Sequence, residues 1–163
     1  MQINLEELYS LQKELDLEIA KNHNVTYEST SDKRLLALLV ELGEFANETR
    51  CFKYWSNKKS SPLDIVLDEY VDGLHFFLSL GIPLNTNKYV YEIKKLDISL
   101  TNAIINVYNL ISKFSNNRNL DNYIAAFSAY LDIISLLEVS SVDIINAYLK
   151  KLDVNHSRQK NNY

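Results

Sequence analysis

Four acidic residues fall into two pairs, Glu41 with Glu44 and Glu69 with Asp72. A spacing of three places both members of each pair on one side of a helix. Both pairs also interrupt apolar stripes. Glu41 follows the run LLALLV, and the line Ile65, Glu69, Asp72, Phe76 is apolar at both ends. Four carboxylates gathered where a core should be lose hydration and repel one another, so a compensating cation is required. An all-oxygen ligand set selects a hard ion, and Mg²⁺, which keeps several waters and accepts substrate phosphates, suits it better than zinc. The chemistry such a site offers is hydrolysis of a phosphate anhydride.

An isolated ExxE on a helix is ordinarily a solvated face. Here the two pairs each lie beside a helical glycine, Gly43 and Gly73, although the chain has only three glycines. Each costs about 1 kcal/mol relative to alanine inside a helix, which implies a close approach by a neighbouring helix or ligand. Glu48, one turn beyond Glu44, reads either as a fifth ligand or as an exposed residue.

The elements that must position these groups are helices. Leu5, Leu8, Leu11, Leu15 and Ile19 recur at three- and four-residue steps, with Asn4 as the N-cap. A second helix is expected over about Asp32 to Cys51. A third follows the cap Ser61 and the first-turn Pro62, stopping near Gly81 before Pro83. Between them lies a basic aromatic connector, Phe52 to Ser60. Further helices are expected over about 88–114, 120–138 and 142–154, the last capped by Ser141, with SNNRN (115–119) as a polar break.

Three glycines and two prolines among 163 residues are too few for many short strands. The expected fold class is therefore all-α, a compact bundle of five to six helices without a sheet. At 47% hydrophobic the chain can build one core, so residues 1–163 form a single domain. The polar tail, residues 155–163, is expected to be mobile and to close over a ligand.

A formal net charge of −4 argues against binding a nucleic-acid polymer, which needs clustered cations. The single cysteine, Cys51, fits a reducing cytoplasm. The N-terminal MQINLEELYS has neither a basic region nor an apolar one, and no run approaches the ~20 apolar residues of a membrane span, so a cytoplasmic protein with no membrane association is expected.

More specific stretches carry a family resemblance. FKYW at 52–55, EYVDGLHF at 69–76 and AYLKKLDVNHSRQ at 147–159, together with the paired carboxylates, resemble the dimeric dUTPases within the all-α, MazG-like nucleoside triphosphate pyrophosphatases. The resemblance runs from Gln12 to the tail. It implies a homodimeric dUTP diphosphatase, hydrolysing dUTP to dUMP and pyrophosphate, with Mg²⁺ held by Glu41, Glu44, Glu69 and Asp72 and with Glu44 as the catalytic base. Lys53, Lys151 and Arg158 become candidate phosphate ligands, although Lys151, beside Lys150, reads most like surface charge.

For the base, Gln12 and Asn155 carry amides that both donate and accept, and Trp55 offers an apolar face. Gln159 belongs to the same tail. His75, three residues past Asp72, is either a sugar contact or a satisfied core histidine, and His156 either contacts ligand or is simply tail. Two departures from the family pattern stand out. Asp16 occupies a position where asparagine is frequent, and the chain ends NNY where a glycine commonly precedes the tyrosine.

The dimer expectation rests on the resemblance and on the apolar load of Tyr123, Ile124, Phe127, Tyr130, Leu131 and Ile134. Alternatives are a related pyrophosphatase acting on dCTP or another nucleotide, and a non-catalytic helical module that binds a protein. The sequence leaves open dUDP as a second substrate, the phosphorus attacked and a regulatory protein partner.

Overall fold

The computed structural model describes residues 1–161. The chain forms α1 (Glu6–His23), α2 (Ser31–Thr49), α3 (Leu63–Gly81), α4 (Leu100–Asn116), α5 (Leu120–Asp132), the single turn α6 (Ile134–Leu137) and α7 (Ser141–Lys160). The all-α bundle is as expected, with six long helices among the described residues.

α3 is the hub. It packs most extensively on α2, then on α7 and α1, and also touches α5. Eleven of its nineteen residues are buried, the mark of a helix covered on nearly every side. This is why a carboxylate pair on α3 cannot escape into water simply by facing away from α2.

The expectation of no sheet needs correction. β1 (Gln2–Asn4) pairs antiparallel with β2 (Val90–Glu92), Ile3 opposite Tyr91, both buried. Tyr91 and Ile93 alternate with the exposed or half-exposed Val90, Glu92 and Lys94, a two-residue period that belongs to a strand. The helix expected from 88 therefore starts only at Leu100, where Ser99 accepts a hydrogen bond from the Asn102 N–H. At the N-terminus Asn4 lies in β1, and its Oδ1 accepts from the Glu6 N–H at 3.0 Å.

Two more boundaries move. The helix expected over 120–138 breaks after Asp132, whose carboxylate accepts from the Lys94 N–H at 2.7 Å. α7 starts from a capping box of Ser140 and Asp143, one residue ahead of the expected cap. It also runs through Val154 to Lys160, so most of the tail is helical; Asn162 and Tyr163 lie outside the described residues.

Tyr123, Phe127, Tyr130, Leu131 and Ile134 are all buried within the single chain, and Ile124 packs against the same core. Their apolar load covers α3 and α4, not a partner. Residues Leu120–Leu137 have the mean hydropathy of a membrane span but form no single continuous helix. They are interrupted at Ile133, and half of that window lies inside the domain.

The glycine beside Asp72 has a packing cause. A Cβ on Gly73 would collide with the Tyr130 hydroxyl. Tyr130 and Tyr70 stack at 4.5 Å and each donates its hydroxyl to the other's carbonyl, which locks α5 against α3.

Candidate active site

Glu41 on α2 and Glu69 and Asp72 on α3 converge, with one oxygen from each lying within 4.8 Å of the others. The Glu41 Oε2 atom is buried and has no hydrogen-bond partner among the described residues. An orphaned carboxylate oxygen is costly unless something is meant to occupy it. Burial, followed by repulsion from Asp72, Glu44 and Glu69, lifts the Glu41 pKa to about 7. Glu69 is raised by burial and by its acidic neighbours. Asp72 is raised by burial, against the opposing pull of Lys151. Glu44, one turn from Glu41, is exposed at the rim and contributes to the field on both glutamates. Three carboxylates held this way, one with a bare oxygen, fit a hard divalent cation.

Lys151 is not surface charge. It is 8% exposed, with its Nζ 2.5 Å from Asp72 and 2.8 Å from Asp68. Burial alone would lower its pKa, but the two aspartates outweigh this and raise it, keeping the ammonium charged. The long stem lets α7 cross α3 while the head reaches the acidic face. Asp68 was missed in the sequence, because the DEY context makes it look like a solvated neighbour of Glu69.

Beside the acidic cluster opens a cavity of about 660 Å³. Its walls come from α1, the 25–30 loop, α2, α3 and α7, and they include Glu41, Asp72, Gln12, His75, Asn155, Arg158 and Gln159. Gln12 is 3% exposed. Its Oε1 accepts from the Tyr148 hydroxyl at 2.9 Å and from His75 Nδ1 at 2.7 Å, and its Nε2 donates to Asp16 at 2.8 Å. His75 stacks on Tyr148 at 4.1 Å. Burial, reinforced by Lys151, pushes its pKa down to about 3, so the ring is neutral. A partly open pocket with a few polar groups, adjoining a cluster of carboxylate oxygens, suits a nucleoside whose phosphates run toward the acidic cluster.

A family model described as dUTPase matches residues 4–163, which is nearly the whole chain. The chain belongs to the dUTPase family. Its activity is accordingly that of a dUTP diphosphatase, and the match favours dUTP over the dCTP-hydrolysing and non-catalytic alternatives. No curated protein matches the chain.

Lys53, Trp55, Glu48 and His156 lie away from the cavity. Trp55 is 65% exposed and packs edge-on against Phe52 and Tyr54. Lys53 donates to Asn47 Oδ1 at 2.5 Å. Neither lines the cavity, because the connector folds on itself at the end of α2. Glu48 accepts from the Ser61 hydroxyl, tying the connector's end to α2. The tail residues are held on α1: His156 contacts Glu18, and Gln159 accepts from Asn22 at 3.3 Å and sits 3.2 Å from His23 Nε2. Arg158 donates to Asn155 Oδ1 at 3.4 Å.

Arg34 and Tyr148 were missed by sequence reasoning. Arg34 donates to the Ser79 and Tyr27 carbonyls at 2.6 Å each and binds the 25–30 loop to the end of α3. A lone arginine opening the apolar run of α2 was the available signal. Tyr148 lay inside the quoted stretch AYLKKLDV, but its hydroxyl partner is 136 positions away.

Proposed function

We propose that the enzyme's dUTP hydrolysis depends on Mg²⁺ held by Glu41, Glu69 and Asp72, with Glu44 completing the set. The observation that carries this reading is the bare Oε2 of Glu41 within a cluster of carboxylate oxygens at the mouth of the cavity. When bound, Mg²⁺ would neutralise phosphate charge and lower the pKa of a coordinated water. Glu44, at the exposed rim, takes the proton of the attacking water. Lys151, fixed by Asp68 and Asp72, presents a permanent positive charge to the phosphates, and Arg158 joins it from two turns further along α7. The nucleoside lies in the cavity against Gln12 and His75. Asn155, Arg158 and Gln159 close its α7 wall, so that this end of α7 acts as a cover.

The enzyme works as a homodimer in the cytoplasm. Support for the dimer is the resemblance and the exposed apolar residues Leu36 and Val40 on α2, Tyr54 and Trp55 in the connector, and Leu63 and Ile65 at the start of α3. A partner surface there would bring Trp55 and Lys53 a use that the single chain does not give them.

The test is release of diphosphate from a panel of deoxynucleotides with and without Mg²⁺. Glu41→Gln and Asp72→Asn should each lower Mg²⁺-dependent turnover of dUTP by at least 10³-fold, a loss of about 4 kcal/mol in transition-state stabilisation, while the proteins stay folded. Undiminished turnover in both variants would remove the metal assignment.

A further inference from the structure

Gln12 is an amide whose two ends look alike in shape, and two of the three groups around it accept either orientation. The Tyr148 hydroxyl donates to Gln12 Oε1 at 2.9 Å but has a second acceptor, the Leu8 carbonyl, at 3.4 Å. It could therefore turn and accept from an amide N–H instead. The His75 ring can carry its proton on either nitrogen. Only Asp16 is one-sided. Its Oδ1 receives the Gln12 Nε2 donor at 2.8 Å, and its Oδ2 receives the Ser79 and Tyr27 hydroxyls at 2.6 and 3.1 Å. A carboxylate has no donor to offer a reversed amide.

From this asymmetry we infer that Asp16 is a positioning residue that sets the hydrogen-bond polarity of the nucleoside pocket. Acting through Gln12, it holds the His75 proton on Nδ1 and leaves Nε2 as an acceptor for a donor on the nucleoside. The observation pointing to a ligand is His75 itself: it is 5% exposed, lines the cavity, and its Nε2 has no partner among the described residues. A deoxyuridine offers two donors, the ring N3–H and the 3′ hydroxyl. Cytosine, with a bare N3, lacks the first. With the opposite polarity, His75 would present an N–H and the pocket would lose this acceptor.

The inference rests on the reading of this cavity as the nucleoside site, so the test has one arm that needs no nucleotide. Long-range proton–nitrogen correlation spectra of the full-length protein at neutral pH should show His75 protonated at Nδ1 and bare at Nε2. A wild-type ring protonated at Nε2 overturns the inference outright. In Asp16→Asn, whose side chain can face Gln12 with either end, a substantial fraction of His75 should move to the Nε2–H form. A tautomer unchanged in that variant removes Asp16 from the role, and the shift is read in protein whose far-ultraviolet circular dichroism matches the wild type, because the neutral imidazole of an unfolded chain also favours Nε2–H.

In the second arm, calorimetry compares a non-hydrolysable α,β-imido analogue of dUTP with its N3-methyl and 3′-deoxy derivatives. One derivative should bind at least tenfold more weakly than the parent, identifying the donor, and Asp16→Asn should erase most of that difference. Equal affinity for all three would show that His75 accepts nothing from the nucleoside. Failure of the parent analogue to bind would count against the nucleoside site itself, while the spectra would still decide the polarity of the network.

Discussion

At the residue scale the enzyme concentrates its energetic cost in Glu41. Its folded pKa of about 7 stands above the ordinary carboxylate value, so in metal-free protein the native state holds the proton more tightly than the unfolded chain does. Stability from this group is therefore full below about pH 4.5 and is lost as pH rises through 7. In EDTA, Glu41→Gln should flatten that loss and gain about 1–2 kcal/mol at pH 8, after discounting for partial solvent screening. For a chain of this length that corresponds to roughly 2–8 °C in Tm. Calorimetric scans of both proteins from pH 5 to 8 measure it, and a parallel pH dependence in the variant would refute the assignment. Gly73→Ala makes the opposite case. The added methyl meets the Tyr130 hydroxyl, and overpacking there should cost about 1–3 kcal/mol in urea unfolding.

Among elements, α7 was the hardest to read and has the most to test. Its first turns were legible to within one residue from the serines at its start, and its apolar positions Ile144, Tyr148 and Leu152 are all buried. The later turns carry no apolar stripe. They are helical through polar contacts with α1, from His156 to Glu18 and from Gln159 to Asn22, which a local pattern cannot reveal. Contacts that are exposed or only partly buried contribute little to stability. Deleting residues after Leu152 should therefore lower the unfolding free energy by no more than about 1 kcal/mol. It should also raise KM for dUTP at least tenfold and narrow the preference over dCTP and dTTP. Full activity and full preference in the truncated protein would make the tail a mere extension of the helix.

The carboxylate helices were read well, because acidic residues inside apolar stripes announce themselves. The β1–β2 ribbon was not, because its two strands are short and about ninety positions apart in the chain.

For the whole molecule, the sequence pointed to a dimer partly for the wrong reason. The aromatic residues of α5 that seemed surplus are the core of one chain, since α3 needs covering on every side. Part of the apolar surface that remains lies on α2, the connector and the start of α3. Sedimentation equilibrium at micromolar concentration should give twice the chain mass. Trp55→Ala combined with Val40→Lys should shift it toward the monomer without changing far-ultraviolet circular dichroism. A wild-type monomer under those conditions would end the proposal.

The Gln12–Tyr148 hydrogen bond has a consequence for how the enzyme is made. It joins the first helix to the last across 136 positions, and β1 finds β2 only after the chain has reached Glu92. During synthesis the acidic pairs on α2 and α3 can meet while the ribosome is still working, but the nucleoside pocket lacks a wall until the final helix leaves the exit tunnel. A chain that stops before α7 should therefore carry the proposed metal ligands and yet bind no nucleotide, so incomplete products would neither consume dUTP nor sequester it.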